Sequence, residues 1–501
     1  MGEKETMGKG EDRISDLPDP ILQLILTLMP LKSAIRTDVL SKRWRNLWQY
    51  SLSWATGLEF GEDFASSQSA KEFVRTVNRY LQLNQSKKLI RFQVFFCPFD
   101  LFANDIETWI NYAASKRVEH LDIDLSQGFK SPDDCEFYDG RSPFELPASM
   151  LDCCSLIDLS LSRCDFGIPL NLSNFGGLQS LSLSYSNINE QMLQNFLANC
   201  PLLENLCLIK CEQLEVISIL LPGLKLKKLT IGFCHSADLL EIDAPKLQSL
   251  HYFGKLCSEN SFLNISSLEE VSIYPVNPMF RNLQMDYSAI LSDLSHVQIL
   301  NLSSTILVDM SLAGDFGDGQ QLQLLNLQEL QLLFDSLTHE DLGSFYLFLN
   351  TCASPLLEKL FIHLPAYIED PNERRHEFVA MLNPQDVKIT LSNLKVIKLT
   401  NFIGTTIEMK LVSFLLDKAT VLESLTLVLP QTSNINKGNG KERLVLSILR
   451  GRVLLLARKS AVARIIVHEF GEDEGINPTY KDIHKYYKSD LPNIPCMLAG
   501  S

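Results

Sequence analysis

LIDLSL (residues 156–161), LQSLSL (178–183), LENLCL (203–208), LKKLTI (226–231) and LQSLHY (247–252) write one pattern five times. Apolar residues stand at positions i, i+3 and i+5, with more polar residues between them. The step from i+3 to i+5 has the period of a β-strand, in which successive side chains point to opposite faces. Each copy thus predicts a short strand with one apolar face. A single copy cannot bury that face, whereas stacked copies can.

Working outward, the pattern recurs along the chain, starting at Leu89, Val118, Leu156, Leu178, Leu203, Leu226, Leu247, Leu268, Val297, Leu327, Leu357, Leu394 and Leu422. From 156 to 268 the spacings are 22, 25, 23, 21 and 21 residues, within the range of about 20–29 expected of leucine-rich repeats. Longer spacings require insertions on the loop or convex side. Residues 188–200 and 338–352 read as helices for that side. The copies at Leu89 and Leu247 are the least regular, because Phe92 and Tyr252 replace leucines. The expected fold is an α/β repeat solenoid, a leucine-rich-repeat horseshoe with a parallel sheet on its concave face.

Positions i+2, i+4 and i+6 then face outward on the sheet and form the candidate target-binding surface. They include Ser182, Ser184, Thr230, His251, Phe253, Ser272, Tyr274, Asn301, Gln331, Phe361 and His363. Small hydroxyls dominate early and aromatic rings appear from Phe253 onward. No ring of Arg and Lys is present to hold a polyphosphate cofactor, and mixed polar and aromatic character suits a protein partner. The alternative is a solvated sheet, with binding through loops 275–295, 308–320 or 365–388.

Residues 12–50, DRISDLPDPILQLILTLMPLKSAIRTDVLSKRWRNLWQY, follow a different rule. Ser15 or Asp16 can cap a helix with Pro18 or Pro20 in its first turn. Leu17, Ile21, Leu22, Leu24, Ile25, Leu26 and Leu28 make that helix apolar on more than one side, and Pro30 stops it. A second short helix carries Ala34, Ile35, Val39 and Leu40. Ser41 can cap a third, with Trp44, Leu47 and Trp48 on one face. Three short helices cannot bury this much apolar surface among themselves, and each fully buried Leu or Ile contributes about 1.5–3 kcal/mol. The module must press against either the domain that follows or a second polypeptide.

The order D-R-I-S-x-L-P-x-x-I-L, followed by A-x-R-T-x-x-L-S-K-R-W-R-x-L-W from Ala34 to Trp48, resembles the plant-type F-box. Thr27-Leu28-Met29 stands where Ser-Phe-Leu is usual. The resemblance implies docking on a Skp-type adaptor that bridges to a cullin-RING ubiquitin ligase. By position it makes Leu17, Pro18, Ile21, Leu22, Ile25 and Leu26 contact residues. Val39, Leu40, Trp44 and Trp48 would divide between contact and internal packing. Trp109-Ile110-x-x-Ala113 and FELPASML (144–151) resemble connecting segments of plant F-box/leucine-rich-repeat proteins. Residues 394–427 resemble the FBD segment that ends many of them, through Phe402, Gly404, Glu408, Leu411, Phe414, Leu415, Leu416, Ala419, Leu422 and Glu423.

The expected organisation is a flexible tail over 1–11, the F-box over 12–50, and a linker over 51–88 holding an amphipathic helix at 69–83. Repeats follow over 89–393, an FBD-like segment and cap over 394–468, and a tail over 469–501. Ser69 and Glu72 are placed to form a capping box for the helix.

The net charge of −15 argues against nucleic acid and anionic membrane as partners, since duplex binding needs clustered Lys and Arg. No apolar run of about 18 residues is present to span a bilayer, and no signal peptide is evident. The twelve cysteines form no C-x-x-C pair and read as small core residues in a reducing compartment. No G-x-S-x-G, H-E-x-x-H or Walker pattern occurs, so neither catalysis, a metal nor a cofactor is expected. The role these features and the resemblance imply is the substrate-recognition subunit of an SCF-type ubiquitin ligase, in the cytoplasm, the nucleus or both. The repeats would hold a protein target. The alternative is a scaffold that binds protein partners without promoting ubiquitination.

Overall fold

The computed structural model describes residues 14, 16–29, 31–65, 69–96, 100–126, 142–167, 172–221, 223–275, 287–313, 322–365, 387–430, 441–472 and 475–478. Ser15, Pro30 and most of the loops considered above lie outside these residues. The chain divides into two compact units, 1–215 with 223–226, and 216–222 with 227–501.

In the first unit, helices α1 (Asp19–Thr27), α2 (Leu31–Arg36) and α3 (Leu47–Trp54) precede strand β1 (Gly57–Phe60). Helices α4 (Glu62–Ala65) and α5 (Ala70–Leu83) lead to β2 (Arg91–Phe95), and α6 (Ala103–Ser115) leads to β3 (His120–Asp124). There follow β4 (Phe144–Glu145), α7 (Ala148–Leu151), β5 (Asp158–Ser162), β6 (Cys164–Asp165), β7 (Ser180–Ser184), α8 (Glu190–Asn199) and β8 (Asn205–Ile209). The ladder β1-β2-β3-β5-β7-β8 is parallel throughout. Its register stacks like on like: Leu121, Leu159, Leu181 and Leu206 form one column and Ile123, Leu161, Leu183 and Leu208 the next. All eight side chains are at most 2% exposed.

The repeats that start at Leu156, Leu178 and Leu203 leave the sheet in the same way. Arg163, Tyr185 and Lys210, seven residues after the first leucine of their copies, have φ of 61°, 53° and 52°. The left-handed turn aims the next residue, Cys164, Ser186 or Cys211, into the core, where it is at most 2% exposed. Ser186 Oγ donates to the Cys164 carbonyl at 2.8 Å, and Cys211 Sγ to the Leu183 carbonyl at 3.6 Å. A small side chain with a donor is needed there, because the turning backbone leaves a buried carbonyl to satisfy.

The second unit holds β9 (Val216–Ile219), β10 (Lys228–Gly232), β11 (Leu239–Asp243), β12 (Ser249–Phe253), β13 (Glu259–Leu263) and β14 (Glu270–Tyr274). Then come α9 (Tyr287–Asp293), β15 (Ile299–Ser303), α10 (Ser304–Ala313), β16 (Leu322–Gln323), β17 (Glu329–Leu333), α11 (His339–Thr351), β18 (Cys352–Ala353) and β19 (Lys359–His363). The unit finishes with β20 (Val396–Thr400), α12 (Thr406–Lys418), β21 (Ser424–Val428), α13 (Lys441–Leu454) and β22 (Arg464–His468). Its ladder runs β10-β12-β14-β15-β17-β19-β20-β21-β22. The copies of 21 to 23 residues that start at Leu203, Leu226 and Leu247 carry no helix between strands. Their return limbs are strands instead, and β9, β11 and β13 pair into a second small sheet.

All thirteen pattern copies are strands. Strand β1 already pairs with β2 inside the segment read as a linker. The ladder also runs unbroken past residue 394, through Leu360, Ile397, Leu425 and Ile465. The residues of the FBD-like segment are structural: Phe402, Leu411, Leu415, Leu416, Ala419 and Leu422 are 0% exposed. Glu408 closes the capping box of α12 with Thr405.

Two helix starts differ from expectation. Helix α1 begins behind Pro18 with no side-chain cap. Helix α3 begins at Leu47, not after Ser41. Residues 42–46 form turns instead, Asn46 has φ 66°, and its N–H donates to Asp38 Oδ1 at 2.7 Å. A capped helix does form at 70–83, where Ser69 and Glu72 make the reciprocal bonds and Phe73, Val77 and Leu81 are buried.

Candidate functional site

Helix α1 has two apolar stripes. Leu22 and Leu26 are 0% and 1% exposed and pack toward α3. Ile21, Leu24 and Leu28 are 44%, 56% and 80% exposed, and Pro18 is also open. Leu17 and Ile25 are half-buried. After α2, Val39 and Leu40 are 86% and 64% exposed, whereas Trp44 and Trp48 are 4% and 8% exposed. Of the residues expected to contact an adaptor, Leu22, Leu26, Trp44 and Trp48 are therefore interior. Three short helices need those four side chains to hold themselves together. Leu24 and Leu28 belong to the open stripe, and the 17-21-24-28 spacing was the signal for them.

Arg43 fixes the start of α1. Its guanidinium donates to the Leu17 carbonyl and, at 3.0 Å, to Asp19 Oδ1. The basic run 42–45 thus has a structural task at one position. Helix α3 is stitched to the repeats: Asn84 Nδ2 donates to the carbonyls of Leu52 and Ala55 at 2.8 and 3.0 Å, and the Gln85 N–H to that of Ser53 at 2.8 Å. The module is both an end cap for the sheet and a bearer of apolar surface that nothing in its own unit buries.

On the sheet of the first unit, Ser182 and Ser184 lie at the outward positions of β7 and are half-buried. Beside them His120 Nδ1 and Asp158 Oδ2 are hydrogen-bonded, and Gln93 Nε2 donates to Asp122 Oδ2 at 2.8 Å. A shallow cavity of about 210 Å³ opens among these side chains.

The same positions in the second unit are closed. Thr230, His251, Phe253, Ser272, Tyr274, Asn301, Gln331 and Phe361 are all at most 5% exposed, and His363 is half-buried. The register places them on the outward side as expected, and there their side chains are buried rather than open. The polar members bond laterally: His251 Nδ1 to Ser272 Oγ at 2.9 Å, Asn301 Nδ2 to Ser272 Oγ at 2.8 Å, and Gln331 Nε2 to Glu329 Oε1 at 2.7 Å. The rings of Phe253 and Tyr274 stack at 5.7 Å. Burial, and secondarily the Lys228 charge, lowers the His251 pKa to about 3. Burial also raises the Glu270 carboxyl.

Among the described residues no group of His, Cys, Asp and Glu is placed to hold a metal ion, and no helix is long and apolar enough to cross a membrane. All nine described cysteines are free.

Comparison with known families decides what this arrangement is. Residues 84–467 match the family model for the At1g61320/AtMIF1 LRR domain, and residues 14–56 match the F-box domain. The chain belongs to the F-box/leucine-rich-repeat family. Among its relatives in Arabidopsis thaliana, F-box/LRR-repeat protein 13 is 28% identical across 93% of this chain and 99% of that protein. F-box/FBD/LRR-repeat protein At1g78750 is 29% identical across 85% and 93%. The matched F-box region contains the open stripe of α1 together with Val39 and Leu40. The matched repeat region contains every outward sheet position from Ser182 to His363.

Proposed function

We propose that this F-box/leucine-rich-repeat protein is the substrate-recognition subunit of an SCF-type ubiquitin ligase. The F-box would dock a Skp-type adaptor and the repeats would hold a protein target. One observation carries the reading. Ile21, Leu24, Leu28, Val39 and Leu40 are large apolar side chains left 44–86% exposed on a module of about forty residues. Apolar surface clustered at this density marks a place where another protein sits. The anchoring of α3 to the repeats supports the receptor role, since a receptor must hold its target at a set distance from the ligase. The chemistry of ubiquitin transfer belongs to the partners, and this chain contributes proximity. Its place of work would be the cytoplasm, the nucleus or both.

The test is reconstitution. The purified chain is mixed with a Skp-type adaptor and a cullin-RING core, and co-elution is measured. Ubiquitin transfer to a protein captured by the repeats is then followed. A complex that forms and ubiquitinates its captured protein supports the receptor role. A complex that forms without transfer favours a scaffold. No complex at micromolar concentrations ends the proposal.

A further inference from the structure

On the open sheet of the first unit, the register sorts the exposed chemistry into rows. Gln93, Asp122, Ser160 and Ser182 stand side by side on β2, β3, β5 and β7. Arg91, His120, Asp158 and Ser180 form the row before, and Phe95, Asp124, Ser162 and Ser184 the row after. Carboxylates thus gather on β3 and at the start of β5, and hydroxyls fill the rest of β5 and β7. The cavity of about 210 Å³ opens where they meet, between Asp122, Asp158, Ser160 and Ser182.

The charge of this surface is unbalanced. Arg91, at the edge of the cavity, pairs with Glu59 at 3.7 Å. Asp122 accepts from the neutral amide of Gln93, and Asp124 Oδ1 from the N–H and hydroxyl of Ser126 at 2.8 and 2.6 Å. Asp158 is hydrogen-bonded to His120. Among the described residues no Lys or Arg pairs with Asp122, Asp124 or Asp158. Burial raises the Asp124 carboxyl, and the neighbouring Asp122 charge works in the same direction. The hydroxyls of Ser160, Ser180, Ser182 and Ser184 are half-buried and bond to no other described residue, so they face whatever lies on the sheet.

The spacing narrows the choice of occupant. Asp122 and Asp124 are two residues apart on one strand, which is about 6.6 Å. An extended chain repeats its own side chains on one face at that same interval. Serine is small, so β5 and β7 leave room for a main chain beside the carboxylates. Cations on that chain would meet the acids in charge-assisted hydrogen bonds, whereas an acidic segment would be repelled.

We propose that the open sheet of the first unit binds an extended, basic segment of another protein, with one Lys or Arg side chain in the cavity between Asp122 and Asp158 and a second, two residues along, beside Asp124. That this protein is a target for ubiquitination rests on the receptor role proposed above. The binding does not, and the experiment uses neither adaptor nor ligase.

Random nine-residue peptides are displayed and selected on the intact chain. Lys and Arg should be enriched at two positions, i and i+2. The dissociation constant of a selected peptide is then measured by fluorescence anisotropy. It should rise at least about tenfold in the chain carrying Asp122→Asn and Asp158→Asn, which keep the bonds to Gln93 and His120, and likewise in Ser182→Lys, which places a cation in the cavity. It should change less than about twofold in Glu212→Gln with Glu215→Gln, exposed carboxylates in and beside the turn after β8. Selected peptides without an excess of Lys and Arg would overturn the proposal, as would unchanged affinity in the Asp122 and Asp158 variant. Self-association of the free chain that Ser182→Lys abolishes would make a second copy the occupant and also overturn it. Basic peptides that bind this face of a chain unable to capture an adaptor would uphold the surface while ending the receptor role.

Discussion

The ring of Trp48 lies 5.7 Å, centroid to centroid, from the ring of Tyr80. Trp48 belongs to the last helix of the F-box and Tyr80 to the helix that leads into the repeats, so one aromatic contact joins the two. Tyr80 in turn sits 5.9 Å from Phe60 on the first strand. The F-box is thereby held against the sheet of the first unit through packed rings.

Trp48→Ala should remove a buried anchor and cost about 3–5 kcal/mol. Urea unfolding followed by circular dichroism measures this. A loss under about 1 kcal/mol would show that the ring is not part of a shared core.

The two stripes of α1 should respond oppositely to the same charge. Ile21→Asp or Leu24→Asp places a carboxylate on open surface and should leave the melting temperature within a few degrees of the parent while abolishing adaptor capture. Leu22→Asp buries an unpaired carboxylate and should unfold the module. Adaptor capture by Ile21→Asp at parental affinity would remove the docking surface from consideration.

Leu181 stands in the middle of a leucine column and is 1% exposed. Leu181→Asp should destabilise the first unit by more than about 3 kcal/mol, because the charge has no partner there. Ser182→Ala, one residue away on the outward face, should change stability by less than about 0.5 kcal/mol. Similar melting curves for the two variants would mean that the strand register is wrong.

Gly404 has φ +78°, and a Cβ there would sit 2.1 Å from Leu449 Cδ2. Gly404→Ala combines a left-handed backbone with a side-chain displacement and should cost about 1–3 kcal/mol. Gly176 has open space around it, so Gly176→Ala should be near neutral. Thermal unfolding of the pair separates the two effects.

The buried His251 makes stability depend on pH. Its folded pKa is about 3, against roughly 6.5 when unfolded. Between those values the unfolded chain binds the extra proton. The stability present above pH 6.5 is therefore lost as the pH falls toward 3. Glu270, raised by burial, acts in the other direction: its contribution is present below its unfolded value and lost as the pH rises through its folded one. His251→Asn keeps a hydrogen-bonding group for Ser272 and leaves Glu270 in place. It should flatten the decline in melting temperature between pH 6.5 and 5.5. Parallel curves for parent and variant would show that His251 does not carry it.

Leucine spacing alone determined the strands. A period of two with apolar residues at i+3 and i+5 admits one way of stacking, and Leu159, Leu181 and Leu206 are buried in register as that period requires. The same reasoning found the capped helix at Ser69, because a capping box is a local device closed within four residues. The F-box was legible as a motif, but not in its division of labour. Neighbouring apolar positions of one helix look alike until the next helix is placed: Ile21 stays open and Leu22 is closed because α3 lies on one side only. The same limit applied to the outward sheet positions. Alternation assigned Ser182 and Ser272 to the same face, and that was right. What differs is cover, which leaves Ser182 half-open and Ser272 at 0%. Cover can come from residues distant in sequence, as at Lys398, which is 4% exposed and bonded to Asn477. Local periodicity determines which way a side chain points; only tertiary packing decides whether anything lies on top of it.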